Sequence, residues 1–388
     1  MHFKIMHQET CFLILTNDTG FGHRSAANSI AKAMEYLHSG KAKTVVINPI
    51  LEPPLSPILR STELNYDRNV NKHPDFYRFT YEISDSRSAS AIVETTLSLA
   101  LYRKIRHLLE SHLPDAIIST NQLFSAPVGF AMRVMEMKRP FFTVVTDLAD
   151  VHSLWFNPAP DRFFVASEQV KAKAITSGLP PEKIILSGIP VDPALADSHL
   201  DRGALLTASG LDPNLTTLLV VGSKRVNGIP EYLEALQQLK QSFQVVLIAG
   251  GDETLFNRVS RQKWNFPIHI ENYVENMSNW LLIADILITK AGGLILSEGL
   301  AAGLPIILIN HLPGQEEGNV EFILTHQAGV KAYTPLELLK VLNSWLENER
   351  SLLNRFAENS RKAGHADSAL VIAESAWQAA QRNKPAFD

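Results

Sequence analysis

Short apolar runs of β-branched residues alternate along the chain with longer stretches of helical spacing, and the alternation is played through twice. The first series opens with CFLILT (11–16), apolar at nearly every position, the pattern of a strand buried on both faces. A helix over 24–38 ends at Gly40, and KTVVINP (43–49) completes a strand–helix–strand unit. DAIIST (115–120), a helix over 125–137, FFTVVTDL (141–148) and a strand–helix–strand run over 163–195 continue the rhythm. The second series runs through TTLLVVGS (216–223), QVVLIAG (244–250), a helix over 252–262, IHIENYV (268–274) and a helix over 276–283. Strands separated by helices predict parallel sheets covered on both faces. Two series predict two doubly wound α/β domains, 1–195 and 196–365, with 366–388 a closing helix that returns to the first. The proline-punctuated end of the 163–195 run is the expected linker.

The chemistry concentrates where the second series culminates, in DILITKAGGLILSEGLAAGLPIILINHLPGQEEGN (285–319). DILITK is a strand, Gly292 and Gly293 turn the chain, and LILSEGLAA has helical spacing until Gly303-Leu304-Pro305 stops it. PIILIN is a second strand, followed by a loop carrying Gln315, Glu316, Glu317 and Asn319. Polar residues gather where strands end and a helix begins, the ligand position of an open α/β sheet. The helix N-terminus suits a phosphate, and Glu298 is placed to accept hydrogen bonds from a ribose.

The first series has its own glycine loop, NDTGFGHRSAA (17–27). It lacks a third glycine, and the next strand ends at Asn48 where an acid would hold a nucleotide ribose, so dinucleotide binding is disfavoured. The loop offers His23 instead, at a helix start that disfavours the imidazolium. An exposed, neutral imidazole there suits a general base near pH 7. Between the glycine loop and DAIIST, Arg68, Lys72 and Arg78 are interleaved with Phe76, Tyr77, Phe79 and Tyr81, and a helix over 97–112 carries Arg103, Lys104 and Arg106. Cations beside aromatic rings suit an anionic membrane surface, although a helix that buries its leucines in the core has the same pattern.

Composition narrows the rest. A chain of 388 residues, 45% of them hydrophobic, can fill two cores. A net charge of −4 disfavours nucleic acid as a partner. The split of +1 through residue 195 and −5 beyond it favours the first half as the membrane side. The single cysteine, Cys11, excludes an internal disulfide and fits a reducing cytosol. The apolar run CFLIL is too short for a signal-peptide core, and no run approaches a membrane span, which predicts a peripheral protein on the inner face of the cell membrane.

KAGGLILSEGLAAGLPIIL followed by PGQEEGN resembles the donor-site signature of the monogalactosyldiacylglycerol synthase and bacterial diacylglycerol glucosyltransferase family, related more distantly to peptidoglycan-type GlcNAc transferases. Thr19-Gly20-Phe21-Gly22-His23 is similar to that family's Gly-Gly-Gly-His motif, with Phe21 in place of the middle glycine. Val-Thr-Asp-Leu (145–148), followed by His152 and Trp155-Phe156, matches a further segment. The resemblance implies the GT-B fold, two Rossmann-like domains facing a cleft, and inverting transfer of glucose or galactose from a UDP-sugar to diacylglycerol. It implies His23 as base, with Asp147 orienting its ring or touching acceptor, and Gly20, Phe21 and Gly22 beside the acceptor. It puts the donor on Lys290, Ala291, Gly292, Gly293, Glu298, Gln315, Glu316 and Asn319, with Val274 at the uracil. The family's glycine-rich loop after the first strand of the second domain is reduced here to Gly222, Ser223 and Gly228, with Lys224 and Arg225 either facing a diphosphate or facing solvent. No cofactor is expected, the UDP-sugar being a co-substrate, and no metal, since no Asp-x-Asp pair ends a strand. Transfer to another lipid or a polyprenyl carrier, sugar-nucleotide epimerisation and non-catalytic binding are the rival readings.

Overall fold

A computed structural model describes residues 9–18, 22–51, 87–197, 201–314 and 316–383. In chain order the first elements are β1 (Thr10–Leu15), α1 (Gly22–His38), β2 (Ala42–Ile47), α2 (Arg87–His112) and β3 (Ala116–Ser119). Then come α3 (Ser125–Val134), β4 (Phe141–Val144), β5 (Arg162–Val165), α4 (Glu168–Thr176) and β6 (Ile184–Leu186). All are in one sheet or on its faces. The strands pair in parallel in the order β2-β1-β3-β4-β5-β6. Phe12, Ile14, Phe142 and Phe164 fill one face against α1, while Leu13, Leu15, Ile117 and Phe141 fill the other against α2 and α3. Alternate residues of each strand thus enter two cores, which is why the strands read as unbroken apolar runs. Half-buried Cys11 begins this sheet, and burial pushes its thiol above the usual range, as for an inert packing residue.

The second sheet is built from α5 (Arg202–Ala208), β7 (Thr216–Val221), α6 (Ile229–Leu236), β8 (Phe243–Ile248), α7 (Glu253–Arg261), β9 (Ile268–Glu271) and α8 (Met277–Ile283). It continues with β10 (Ile286–Lys290), α9 (Gly293–Ala301), β11 (Ile306–Asn310), α10 (Glu317–Thr325), β12 (Gly329–Lys331), α11 (Pro335–Leu346) and α12 (Ser351–Ala363). The strand order is β12-β11-β10-β7-β8-β9, again parallel. Asp285 ties β10 to its neighbour by accepting from Thr217 N (2.8 Å) and pairing with Arg202 (3.0 Å).

The last helix, α13 (Ser368–Arg382), belongs to the first sheet, so the two compact units are Met1–Pro193 with Asp367–Asp388, and Ala194–Ala366. It packs on α1: the His38 and Trp377 rings stack with centroids 3.9 Å apart, and His38 Nε2 meets Glu374 at 3.0 Å. Gln381 reaches Thr10 Oγ1 at 3.0 Å, and Ser368 Oγ accepts from Val191 N at 3.1 Å.

Each sheet has one point where the chain reverses its direction of growth, between β1 and β3 in the first and between β7 and β10 in the second. The loops leaving those strands splay apart and open a crevice at their carboxyl ends. His23 follows β1, and Lys290 to Gly293 follow β10. Both motif stretches therefore stand at a switch point.

Candidate functional site

In the first unit the crevice is organised around His23, the second residue of α1. Its Nδ1 lies 2.9 Å from the carbonyl oxygen of Thr120, just past β3, and 2.8 Å from Thr146 Oγ1, just past β4. A carbonyl oxygen can only accept, so Nδ1 carries the proton and Thr146 accepts from it as well. Nε2 is therefore unprotonated, and no hydrogen bond among the described residues occupies it. Thr120 also donates its hydroxyl to His23 O at 3.1 Å, so two reciprocal bonds fix the ring to the end of β3. Burial pushes the imidazole down to about 4, against the opposing pull of the Thr120 carbonyl. The ring is half-buried rather than exposed, and desolvation, more than the helix start, is what keeps it neutral.

Asp147 does not orient this ring. Its Oδ2 accepts from the indole Nε1 of Trp155 at 2.6 Å, and burial raises its carboxyl to about 6. Trp155 is fully buried, with its ring centroid 6.0 Å from that of His23, so Asp147 braces the wall behind the histidine. His152 accepts from Leu154 N at 3.1 Å and caps the turn that holds Trp155. Ahead of α1, Asp18 receives both Arg24 (2.6 and 3.1 Å) and Asn48 Nδ2 (2.9 Å). A Cβ added to Gly22 would meet nothing within 4 Å among the described residues. Gly20 and Phe21 lie outside the described residues.

In the second unit, β10 ends in a register shift at Lys290, after which Ala291, Gly292 and Gly293 lead into α9. Ala291 N donates to Asn310 O and its carbonyl accepts from Asn319 Nδ2, each at 2.9 Å. Asn319, buried on α10, thus locks the glycine turn from behind. Helix α9 lies close on β10 because Gly299 has no side chain: a Cβ there would come within 2.5 Å of Leu287 Cδ2. The result is a fixed helix N-terminus whose first N–H groups have no intrahelical acceptor. Glu298 is buried on the same helix. Lys290 forms an ion pair with buried Glu316, whose other oxygen accepts from Leu312 N at 2.9 Å. Gln315 lies outside the described residues.

Across the switch point, Gly222 ends β7 with Leu255 and Ile229 where a Cβ would go, at 2.8 and 2.9 Å. Gly250, at φ +64, approaches the Gly222 carbonyl so closely that a Cβ would lie 2.3 Å away, so position 250 requires glycine. Ser223 Oγ accepts from Arg225 N at 3.2 Å. Lys224 is exposed and Arg225 half-buried. Val274 is half-buried in the loop after β9, beside Tyr273, which is 58% exposed.

Comparison with known proteins bears on the family and the fold. The family model described as monogalactosyldiacylglycerol (MGDG) synthase matches residues 23–191, and that of glycosyl transferases group 1 matches residues 206–363. Monogalactosyldiacylglycerol synthase 2, chloroplastic, of Arabidopsis thaliana is 26% identical over 383 residues, covering 96% of this chain and 81% of its own. The chain thus carries a monogalactosyldiacylglycerol synthase family domain followed by a group 1 glycosyl transferase domain. The Spinacia oleracea synthase is 28% identical, over 93% of this chain and 70% of its own. Among solved structures, Acinetobacter baumannii MurG superposes with a TM-score of 0.58 at 14% identity, covering 96% of this chain and 100% of its own. The UDP-GlcNAc 2-epimerase of Neisseria meningitidis, bound to UDP-GlcNAc, also gives 0.58, at 13% identity over 96% and 100%. At such identities they show the fold, which is GT-B.

Helix α2 does not turn Arg103, Lys104 and Arg106 all outward. Arg103 is exposed, and Arg106 pairs with Glu110 one turn on at 2.7 Å. Lys104 turns its ammonium to the carbonyls of Pro49 (3.2 Å) and Ile50 (3.5 Å). The reason is helical phase: Leu101, Ile105, Leu108 and Leu109 bury one face, Lys104 sits at its margin, and Arg103 and Arg106 face outward. The stretch Arg68–Tyr81 lies outside the described residues. Among the described residues no helix is long and apolar enough to cross a membrane. Sequence reasoning missed Thr120 and Thr146, the two residues that fix the His23 tautomer, although Thr146 sits inside a motif already singled out.

Proposed function

We propose that this glycosyltransferase moves glucose or galactose, with inversion, from a UDP-sugar to the free hydroxyl of diacylglycerol, giving a β-glycolipid. The observation that carries the reading is His23, neutral, with its proton on Nδ1 and its Nε2 engaged by no hydrogen bond among the described residues. The acceptor hydroxyl gives its proton to Nε2 as its oxygen bonds to the anomeric carbon. The bond from that carbon to the diphosphate oxygen breaks, and UDP leaves with the electron pair. As the ring gains charge, the Nδ1–H bonds to Thr120 O and Thr146 Oγ1 become charge-assisted and strengthen. Lys290 and the N-terminus of α9 favour the charge that develops on UDP. Glu298 serves the ribose, Gln315 and Glu316 the sugar hydroxyls, and the loop at Val274 the uracil. No metal or other cofactor has a role in this scheme.

That the relatives are monogalactosyldiacylglycerol synthases favours galactose over glucose as the transferred sugar and diacylglycerol as acceptor. Reversible attachment to an anionic membrane through the first unit brings the enzyme to an acceptor that stays in the bilayer. The test is incubation with radiolabelled UDP-Glc or UDP-Gal and diacylglycerol vesicles, with chromatography of the lipid phase. A labelled monohexosyl lipid is expected, and label confined to water-soluble products would refute the reading.

A further inference from the structure

The Lys290–Glu316 pair is placed oddly for a structural salt bridge. A Cβ on Gly292 would lie 3.0 Å from Lys290 Nζ, so the lysine folds back over the N-cap of α9. An ammonium group at a helix N-terminus meets the positive end of the dipole, an arrangement that disfavours it. The anion that Lys290 meets among the described residues is Glu316, which is itself buried. Glu316 is held by a short local constraint, the turn in which its Oε2 accepts from Leu312 N and its own N–H donates to Leu312 O at 3.0 Å. Two positive ends and one carboxylate thus share a space that suits an anion of higher charge.

We infer that Glu316 is a stand-in anion for the donor's diphosphate: it occupies Lys290 in the empty site and is displaced from it when the diphosphate arrives. This rests on the donor reading above and adds a coupling to it. A diphosphate on α9 with Glu316 still beside Lys290 would set like charges against each other in a poorly solvated pocket. Exchange removes that repulsion. It also releases the Glu316 carboxylate at the moment the sugar follows the diphosphate in, so a carboxylate that was internally satisfied becomes available to hexose hydroxyls. The same residue then resists free UDP and favours the sugar-bearing donor.

The sign of the prediction is unusual for a binding-site residue. Glu316→Gln keeps the shape and an acceptor for Leu312 N but removes the charge, so calorimetric titration should show UDP binding tighter than to wild type, by about tenfold. Lys290→Met should bind UDP more weakly, and in that background Glu316→Gln should no longer tighten it, since the two act through one another. UDP-hexose affinity should not rise with that of UDP in the Glu316→Gln protein, narrowing the ratio between the two ligands. If wild type binds UDP and Glu316→Gln binds it equally or less well while remaining folded by circular dichroism, the exchange is refuted and the donor reading stands. If the tightening persists undiminished over Lys290→Met, the pairing is refuted as its cause. If wild type binds no UDP, the donor reading fails and takes the exchange with it.

Discussion

Replacing Asp147 by asparagine should expose a pH dependence of stability that the native protein hides. His23 is held at about 4 against an ordinary 6.5, so between those values the unfolded chain binds more protons than the folded one. Stability from this group is fully present above 6.5 and is lost as pH falls toward 4, by about 3 kcal/mol in all at ~1.4 kcal/mol per unit. Asp147 runs the other way. Its carboxyl is raised from 3.8 to about 6, so the folded state binds the extra proton, and stability is lost as pH rises through that window. Discounted for the solvent that reaches its half-buried side chain, that contribution is roughly 2 kcal/mol. The two windows overlap between about 4 and 6 with opposite slopes, so in the native protein they largely cancel.

In the Asp147→Asn protein the amide oxygen could still accept from Trp155 Nε1, so the wall behind His23 is preserved while the titration is removed. Urea unfolding of both proteins, followed through hydrogen exchange of β1, β3 and β4, would be run from pH 4 to 7. Groups common to both cancel in the difference. The expected result is that Asp147→Asn gains about 2 kcal/mol relative to native protein as pH rises from 4 to 6, then stays level. A difference that is flat across the window would mean that Asp147 is not raised by burial, and the account of the wall would fail.

His23→Ala should lower the rate of sugar transfer by about 10²–10⁴ while leaving calorimetric UDP affinity unchanged. Thr146→Val should lower kcat several-fold without moving KM for donor, and Thr146→Ser should restore it, because only the hydroxyl accepts from Nδ1; failure of the serine rescue would reduce Thr146 to packing. Glu298→Ala should weaken UDP by about 1.5–3 kcal/mol in the same titration, the cost of a hydrogen bond to a charged group. Arg103→Gln should reduce co-sedimentation with phosphatidylglycerol vesicles about fivefold at low salt, near 1 kcal/mol for one surface cation. Lys104→Gln should instead lower stability with little change in sedimentation, since its ammonium is spent on Pro49 and Ile50.

The elements legible in the sequence are those whose apolar pattern is dictated by burial on both sides. Phe12 to Leu15 and Leu218 to Val220 are almost wholly buried, and an unbroken apolar run has no other use in a chain of this composition. The apolar pattern puts the start of helix α2 at 97, whereas the helix begins at Arg87, because residues 87–96 have few large apolar side chains, and Ile92 is 69% exposed. Periodicity cannot report a turn of helix that buries little. The β strands are also shorter than their apolar runs at the carboxyl ends: FFTVVTDL ends as a strand at Val144 and IHIENYV at Glu271. After β4 the residues that leave the ladder include Thr146, which meets His23, so the boundary error there follows from the sheet having a working edge.

The harder lesson concerns which residue touches which. Thr146 and Asp147 are consecutive residues just past the end of β4 at Val144, and their side chains take different partners. Chemical habit assigns the carboxylate to the imidazole, yet here Thr146 meets His23 Nδ1 and Asp147 meets Trp155 Nε1. The assignment follows from energetics once burial is known. A carboxylate against His23 would have held the imidazolium and raised its pKa toward or above neutrality, so that at pH 7 the ring would already carry the proton that the proposed mechanism has it accept. A hydroxyl and a carbonyl fix the same tautomer with no net charge and leave the ring a base. The carboxylate is better used on Trp155, where its raised pKa shows that it too sits in poorly solvated surroundings. On this argument Thr146→Asp would bring an acid to the ring, lift the His23 pKa from about 4 by well over a unit, and carry the acid limb of the rate profile up into a range where the native profile is flat. A profile for that variant as flat as the native one would show that the hydroxyl at 146 has no part in keeping the base neutral.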